Sequence, residues 1–392
     1  MSTDPHLSSW ALDRDVIQLN HGSFGATPLP VLAAQDSWRR AFEANPTGFV
    51  VNVLEPAIDR ARTALAALVG AEPADLVFVT NATMGVNTVV RSIDFRPGDE
   101  LLTTDHIYNA CRNVLEYVAG RTGARVIAAP VPFPLESPQQ VTASILGASS
   151  ERTRFALLDH VTSPTGLVLP IEEVVGPLEA AGVAVMIDGA HGPGMVPLDL
   201  AALGASYYTG NCHKWLCSPK GSGFLWARQG LGSTLIPPVI SHGWNDSRTE
   251  RPRFHLLFDY MGADDPTAHL AVPAALDFLA TLHPQGLAGL MERNRRLALE
   301  VRGRLCDLLQ IALPAPDSMI GSLAAVPLPD SVGEPVDGFI DPLGPLLFER
   351  HQIQVPVFLW PSWPRRNVRI SAAPYNTPRD YDPLLEALRE EL

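Results

Sequence analysis

The 392-residue sequence predicts an α/β fold, with a mostly parallel sheet in a large domain and a smaller α+β domain after it, on three observations. Short apolar runs alternate with helix-like stretches from about residue 75 to residue 226. After Pro266 the texture changes to long helical stretches and then short mixed elements. A chain of this length, 46% hydrophobic and 18% charged, exceeds the roughly 100–200 residues of one domain and is composed as a globular protein.

The alternating series opens with Asp75–Thr80 (DLVFVT), a strand, followed by the helical stretch Met84–Ile93. Strands are then expected at Glu100–Thr104, Arg125–Ala129, Phe155–Asp159, Val183–Asp188 and Ser206–Thr209, with helix Ile171–Ala181 among the connections and Gly223–Trp226 closing the series. Such βαβα order implies parallel strands with helices on both faces, and ligands bind such sheets beyond the carboxyl ends of the strands. Functional residues are therefore expected just after strands. Beyond Pro266, helices are expected over Leu270–Leu282 and Leu287–Leu309. The Pro-rich passages Pro314–Pro316, Pro327–Pro329 and Pro342–Pro345 read as loops. The expected organisation is an N-terminal segment, 1–20, packing with the small domain, a large domain over 21–268 and a small domain over 269–392.

Charge and cysteine usage narrow the class. A net charge of −13 excludes a phosphate-backbone partner, which requires clustered basic side chains, so no nucleic acid is expected. No apolar run is long enough to span a bilayer, and the opening MSTDPHLSSW lacks a basic stretch followed by an apolar one, so neither a membrane nor export is expected and the expected location is the cytoplasm. The cysteines Cys111, Cys212, Cys217 and Cys306 include no CxxC pair. Cys212 and Cys217 read as buried thiols, with part of a metal site as the rival reading.

The 29 basic residues comprise 27 arginines and two lysines, Lys214 and Lys220. Arginine never serves as an imine-forming amine, so any lysine-dependent covalent chemistry uses one of these two. Lys214 falls just after a strand in Tyr207–Gly223 (YYTGNCHKWLCSPKGSG), at the ligand-bearing edge of the expected sheet, where a lysine can form an imine with pyridoxal phosphate. The plain alternative is a surface lysine. Val183–His191 (VAVMIDGAH) ends a strand in Asp188 and places His191 three residues on. A carboxylate there can hold a pyridinium nitrogen protonated, and metal binding by Asp188 and His191 is the rival. In Val79–Asn87 (VTNATMGVN) a strand runs through a polar turn into a helix, so backbone N–H groups and the Thr83 hydroxyl can cradle a phosphate; an N-cap by Asn81 or Thr83 explains the same residues.

In this order, strand-end turn, strand-end aspartate and strand-end lysine resemble the fold-type I pyridoxal-phosphate enzymes of the aminotransferase class V group, with their seven-stranded type of sheet. Leu19–Gly25 (LNHGSFG), Asp188–Gly194 (DGAHGPG), Thr209–Trp215 (TGNCHKW) and Val368–Thr377 (VRISAAPYNT) resemble isopenicillin N epimerase and its relatives, among them the hercynylcysteine sulfoxide C–S lyases. The resemblance runs from about Leu19 to Leu388. It implies Lys214 as the Schiff-base lysine, Asp188 as partner of the pyridine nitrogen and His191 as partner of the cofactor's phenolic oxygen. It further implies Ala82, Thr83, Asn211 and His213 around the phosphate, and either His106 or Tyr108 stacked on the ring. Arg369 would bind the substrate carboxylate, with Asn20 and His21 beside the substrate, and a homodimer is implied.

Two departures bear on function. Desulfurases of this fold carry a persulfide-forming cysteine on a loop before the carboxylate-binding arginine, and the corresponding stretch His351–Pro361 (HQIQVPVFLWP) has none. In Tyr260–Asp265 (YMGADD) a position where relatives often have threonine is Ala263, which removes a hydroxyl from the phosphate site. The expected substrate is a small amino-acid-like molecule, and the expected activity is epimerisation or racemisation at its α-carbon. A C–S or β-elimination lyase, an aminotransferase and a non-catalytic cofactor-binding module are the alternatives. Phe24, Trp244, Asn245, Phe358 and Trp360 are expected to contribute to the substrate pocket.

Overall fold

The computed structural model describes residues 7–334 and 338–392. Two helices, α1 (Leu29–Ala44) and α2 (Leu54–Val69), precede a seven-stranded sheet. Its strands are β1 (Leu76–Val79), β2 (Glu100–Thr104), β3 (Arg125–Ala129), β4 (Thr153–Asp159), β5 (Ala184–Gly189), β6 (Tyr207–Asn211) and β7 (Gly223–Ala227). Their order across the sheet is β1-β7-β6-β5-β4-β2-β3. Helices α3 (Ala82–Ser92), α4 (Asn109–Thr122), α5 (Pro138–Ala148) and α6 (Ile171–Ala180) fill the connections. Strands β1, β2, β5, β6 and β7 are buried along almost their whole length, as strands covered by helices on both faces must be.

Strand β7 departs from the simple alternation: it runs antiparallel between β1 and β6. The eleven residues between β6 and β7 hold no crossover helix, and a parallel return needs a crossover of a dozen or more residues, so the chain folds straight back. Helix α3 packs close to β6, because Gly85 lets its backbone approach; a Cβ there would lie 2.1 Å from Thr209 Oγ1. Val86, Val89 and Val90 on that helix are fully buried, each contributing about 1.5–3 kcal/mol of apolar burial.

Beyond Pro266 the expected helix Leu270–Leu282 is two helices, Thr267–Leu270 and Val272–Thr281. Pro273 explains the break: it lacks the N–H of a continuing helix, but sits readily in the first turn of a new one. Helix Gly286–Leu309 follows, then a three-stranded antiparallel sheet of β8 (Leu323–Leu328), β9 (Val357–Leu359) and β10 (Arg366–Ser371), ordered β9-β10-β8. Ile17–Gln18 pairs in parallel with Ile353–Gln354, tying the start of the chain to its C-terminal part. No helix among the described residues is long and apolar enough to cross a membrane.

Candidate active site

The carboxyl ends of β4, β5 and β6 deliver Asp159, Asp188 and, three residues beyond β6, Lys214 to one edge of the sheet. The Lys214 segment is anchored from the far end of the chain. His21, at 3% exposure, places Nε2 3.0 Å from the Lys214 carbonyl and Nδ1 3.1 Å from the Tyr375 hydroxyl. A carbonyl only accepts, so Nε2 carries the proton and Tyr375 donates to Nδ1. Burial pushes the imidazole down to about 4, which keeps it neutral. Gly25, with φ +71°, lets the N-terminal segment lie against the His213 carbonyl, where a Cβ would stand 1.9 Å away.

Around Lys214 the polar groups converge. Its Nζ lies 3.1 Å from His191 Nε2, while the Trp215 indole N–H donates to His191 Nδ1 at 3.3 Å. Loss of hydration, and then the Arg369 charge, bring the Lys214 amine down to about 7, with Asp188 and Cys111 opposing that shift. Asp188 is buried; its Oδ1 accepts from the Ala190 amide at 3.0 Å and its Oδ2 from the Cys111 thiol at 3.1 Å. Burial raises the Asp188 carboxyl, and these two donors restrain it. Asp159, its register partner on β4, is held well above the usual carboxylate range by burial and by the neighbouring Asp188 charge, and its Oδ2 has no partner.

Arg369 on β10 is buried at 1% exposure with no carboxylate partner among the described residues. Its terminal nitrogens donate to Ser163 O and Oγ, Asn20 Oδ1 and Ser23 Oγ, its guanidinium sits 4.9 Å above the Phe358 ring, and Nε is unpartnered. Burial lowers it to about 10, so it remains a cation at neutral pH. A buried cation without a carboxylate partner among the described residues, lining a cavity, is equipped to take a carboxylate. That cavity, about 440 Å³, brings together Lys214, Arg369, Tyr108, Asn20 and Ser163 with an apolar wall that includes Phe24, Phe339, Phe348 and Phe358. A larger groove of about 710 Å³ between residues 7–18 and 375–383 contains neither lysine.

At the amino end of α3, Asn81 Oδ1 accepts from the Met84 amide and Asn211 Oδ1 from the Ala82 amide at 2.8 Å, while the Thr83 amide and hydroxyl have no partner among the described residues. His213 Nδ1 donates to the Ser222 carbonyl at 2.9 Å, and burial brings this ring down to about 4.

The structure separates several residues that the sequence grouped. His106 is fully buried, with Nδ1 on Thr165 Oγ1 and Nε2 on the Val131 carbonyl, and Trp360 packs edge-on against it; neither lines the cavity, whereas Tyr108 does. His21 likewise spends both nitrogens on protein partners and stands behind the Lys214 backbone rather than in the cavity. Trp244 and Asn245 lie on a short helical turn away from it, Trp244 under the Arg253 guanidinium. Ala263 is exposed. Cys212 and Cys217 are buried free thiols. Asp59, His255 and Asp259 are the one cluster among the described residues with the spacing of metal ligands, but Arg62 and Arg251 bridge both carboxylates and so oppose a cation there. Sequence reasoning missed Asp159, Ser163, Cys111 and the Trp215 indole. Asp159 ends a recognisable strand, which is a signal; the other three are placed only by long-range packing.

A buried strand-end carboxylate, a buried amine whose cation is disfavoured, an amide at a helix amino end and an arginine with no carboxylate partner among the described residues together fit pyridoxal 5′-phosphate and an amino acid. The comparisons with known proteins agree. Over 97% of this chain and 96% of the relative, the sequence is 37% identical to isopenicillin N epimerase of Amycolatopsis lactamdurans. It is 27% identical to L-cysteine desulfhydrase of Arabidopsis thaliana, over 96% of this chain and 87% of the relative. The fold resembles that of a cystine C–S lyase solved with its product cysteine persulfide, with a TM-score of 0.77 and 22% identity over 96% of this chain and 97% of that one. The aminotransferase class-V family model matches residues 25–383, and the chain belongs to that family of pyridoxal-phosphate-dependent enzymes.

Proposed function

We propose that the protein epimerises an amino acid whose side chain carries an apolar portion, in the manner of isopenicillin N epimerase. The observation that carries this reading is the cavity: among its lining residues, Lys214 and Tyr108 are the only ionisable side chains besides Arg369, and the remaining wall is largely apolar. Inversion needs one group to remove the α-proton and a second to return one. The likeness to the Amycolatopsis epimerase supports the same reading.

Pyridoxal phosphate, when bound, supplies the electron sink that makes an α-proton acidic. The residues proposed to hold it are Asp188 at the ring nitrogen, His191 at the phenolic oxygen, Tyr108 on the ring face, and Thr83, Ala82, Asn211 and His213 around the phosphate. Arg369 takes the substrate carboxylate and fixes which bond at the α-carbon faces Lys214. Near neutral pH about half of the Lys214 amine is unprotonated and able to accept that proton. Tyr108, whose hydroxyl burial raises above its ordinary value, keeps its proton until it is delivered to the substrate. Asn20 acts by orienting Arg369. A homodimer belongs to the same proposal, supported by the apolar side chains Phe24, Val51 and Trp244 left exposed on the single chain.

A C–S lyase is the second reading, favoured by the desulfhydrase relative and by the fact that β-elimination needs only one base, which Lys214 provides. One experiment separates them. The holoenzyme is incubated in D2O with L-amino acids bearing aliphatic, aromatic and sulfur-containing side chains, and α-deuterium, chirality and keto acids are measured. Deuterated D-product that vanishes in Tyr108→Phe, with α-exchange retained, supports epimerisation. Keto acid, ammonia and sulfide without D-product replace it with the lyase reading. No α-exchange on any substrate refutes both.

A further inference from the structure

Three groups form a hydrogen-bonded chain at Lys214: the Trp215 indole N–H, the His191 ring and the Lys214 amine, separated by 3.3 Å and 3.1 Å. From the direction of these two hydrogen bonds we infer that Trp215 is a positioning residue that fixes the His191 proton on Nε2, so that the imidazole donates to the Lys214 amine.

The argument is one of donor and acceptor inventory. An indole N–H can only donate, so His191 Nδ1 must offer it a lone pair. A neutral imidazole then carries its single proton on Nε2. The atom 3.1 Å from Nε2 must therefore accept, and an amine nitrogen accepts only when it is not an ammonium. The opposite arrangement, Nδ1 protonated and Nε2 accepting from a lysine cation, places two N–H groups against each other at Trp215. So does an imidazolium.

The indole is not free to turn away. It is 2% exposed and packs with Val161, Met195 and Leu323, and its own backbone lies against Gly194, where a Cβ would stand 2.7 Å from the Trp215 carbonyl. The surrounding charges act in the same sense. Burial is the main influence that disfavours an imidazolium at His191, and the Arg369 cation adds to it. Lys214 faces Arg369, which disfavours its cation, against Asp188 and Cys111, which favour it. His191 is thus a fixed hydrogen-bond donor toward the Lys214 amine rather than a proton shuttle, and whatever occupies the place of the amine must present an acceptor. This holds for epimerase and lyase alike, so its failure is separate from a failure of the proposed reaction.

The test uses Trp215→Phe, which keeps a buried ring but removes the N–H, alone and combined with His191→Gln. In the cofactor-free protein the two lysines are labelled with an amine-acylating reagent across pH 6–10 and resolved by peptide mass spectrometry. Wild-type Lys214 is expected to reach half-maximal reactivity near pH 7. In Trp215→Phe the other tautomer becomes available to accept from the ammonium, and the midpoint is expected to rise by about one unit, roughly fivefold less labelling at pH 7. In the His191→Gln background the same substitution is expected to shift nothing. Equal shifts in both backgrounds would mean that Trp215 acts through packing, and would overturn the inference, as would no shift in either. Should Trp215→Phe fail to fold, wild-type protein labelled with 15N-histidine decides alone: the resonance lost in His191→Gln must show a protonated Nε2, and a protonated Nδ1 refutes the inference.

Discussion

Replacing Gly25 by alanine tests whether the N-terminal segment sets the position of the lysine. Gly25 has φ +71° and ψ 167°, a region essentially reserved for glycine, and its carbon neighbour-to-be would stand 1.9 Å from the His213 carbonyl and 3.0 Å from the Lys214 Cα. The backbone strain costs about 1–3 kcal/mol. Forcing the contact open costs about 1–3 kcal/mol more, because the colliding atoms are main chain and cannot swing aside. A total of about 2–6 kcal/mol is expected. Gly204 is the control: its φ is +75° at a helix end, yet a Cβ there meets nothing within 4 Å, so alanine costs only about 1 kcal/mol. Urea unfolding of both variants measures the difference, and cofactor affinity reports whether the His213–Lys214 backbone has moved. If Gly25→Ala is no less stable than Gly204→Ala, the close approach is not a constraint and the argument fails.

Three other perturbations have defined outcomes. The Lys214 amine falls to about 7 on folding from an ordinary 10.5, so between those values the unfolded chain binds the extra proton and folding stability contributed by this group rises with pH. Wild-type cofactor-free protein is therefore expected to gain on Lys214→Met between pH 7 and pH 10 in urea unfolding, and a constant difference would contradict the assignment. Arg369→Gln is expected to raise KM for the amino acid about a hundredfold while leaving cofactor affinity unchanged, since a charge-assisted pair with the substrate carboxylate is worth roughly 2–3 kcal/mol. Cys111→Ala removes the thiol that restrains the Asp188 carboxyl. Cofactor affinity, measured by fluorescence titration, is expected to weaken about five- to tenfold.

Much of the main sheet was legible because its strands are continuous apolar runs ended by turn residues, and Glu100–Thr104 and Arg125–Ala129 coincide with their expected limits. The antiparallel direction of β7 was not, since apolar periodicity carries no sign; connection length does. Lys214 and Asp188 announce themselves by residue type at strand ends. His21 and His106 mislead for the opposite reason: sequence shows a titratable ring but not where its nitrogens point, and both turn out to be satisfied by protein carbonyls and hydroxyls. Trp215 is core, yet one edge of its ring meets His191. Which edge of a buried ring meets a polar neighbour is set by tertiary packing alone.

The clamp between His21 and the Lys214 carbonyl joins residues 193 positions apart, and Arg369 reaches Asn20 across 349. Contacts of that span close only after the intervening chain has already collapsed, because the entropy of closing so long a loop must be met first. The cavity is consequently among the last features to form during folding, and a chain still emerging from synthesis cannot assemble it until residues near 369 are free to dock. Cofactor capture is thereby expected to report completed assembly of the chain.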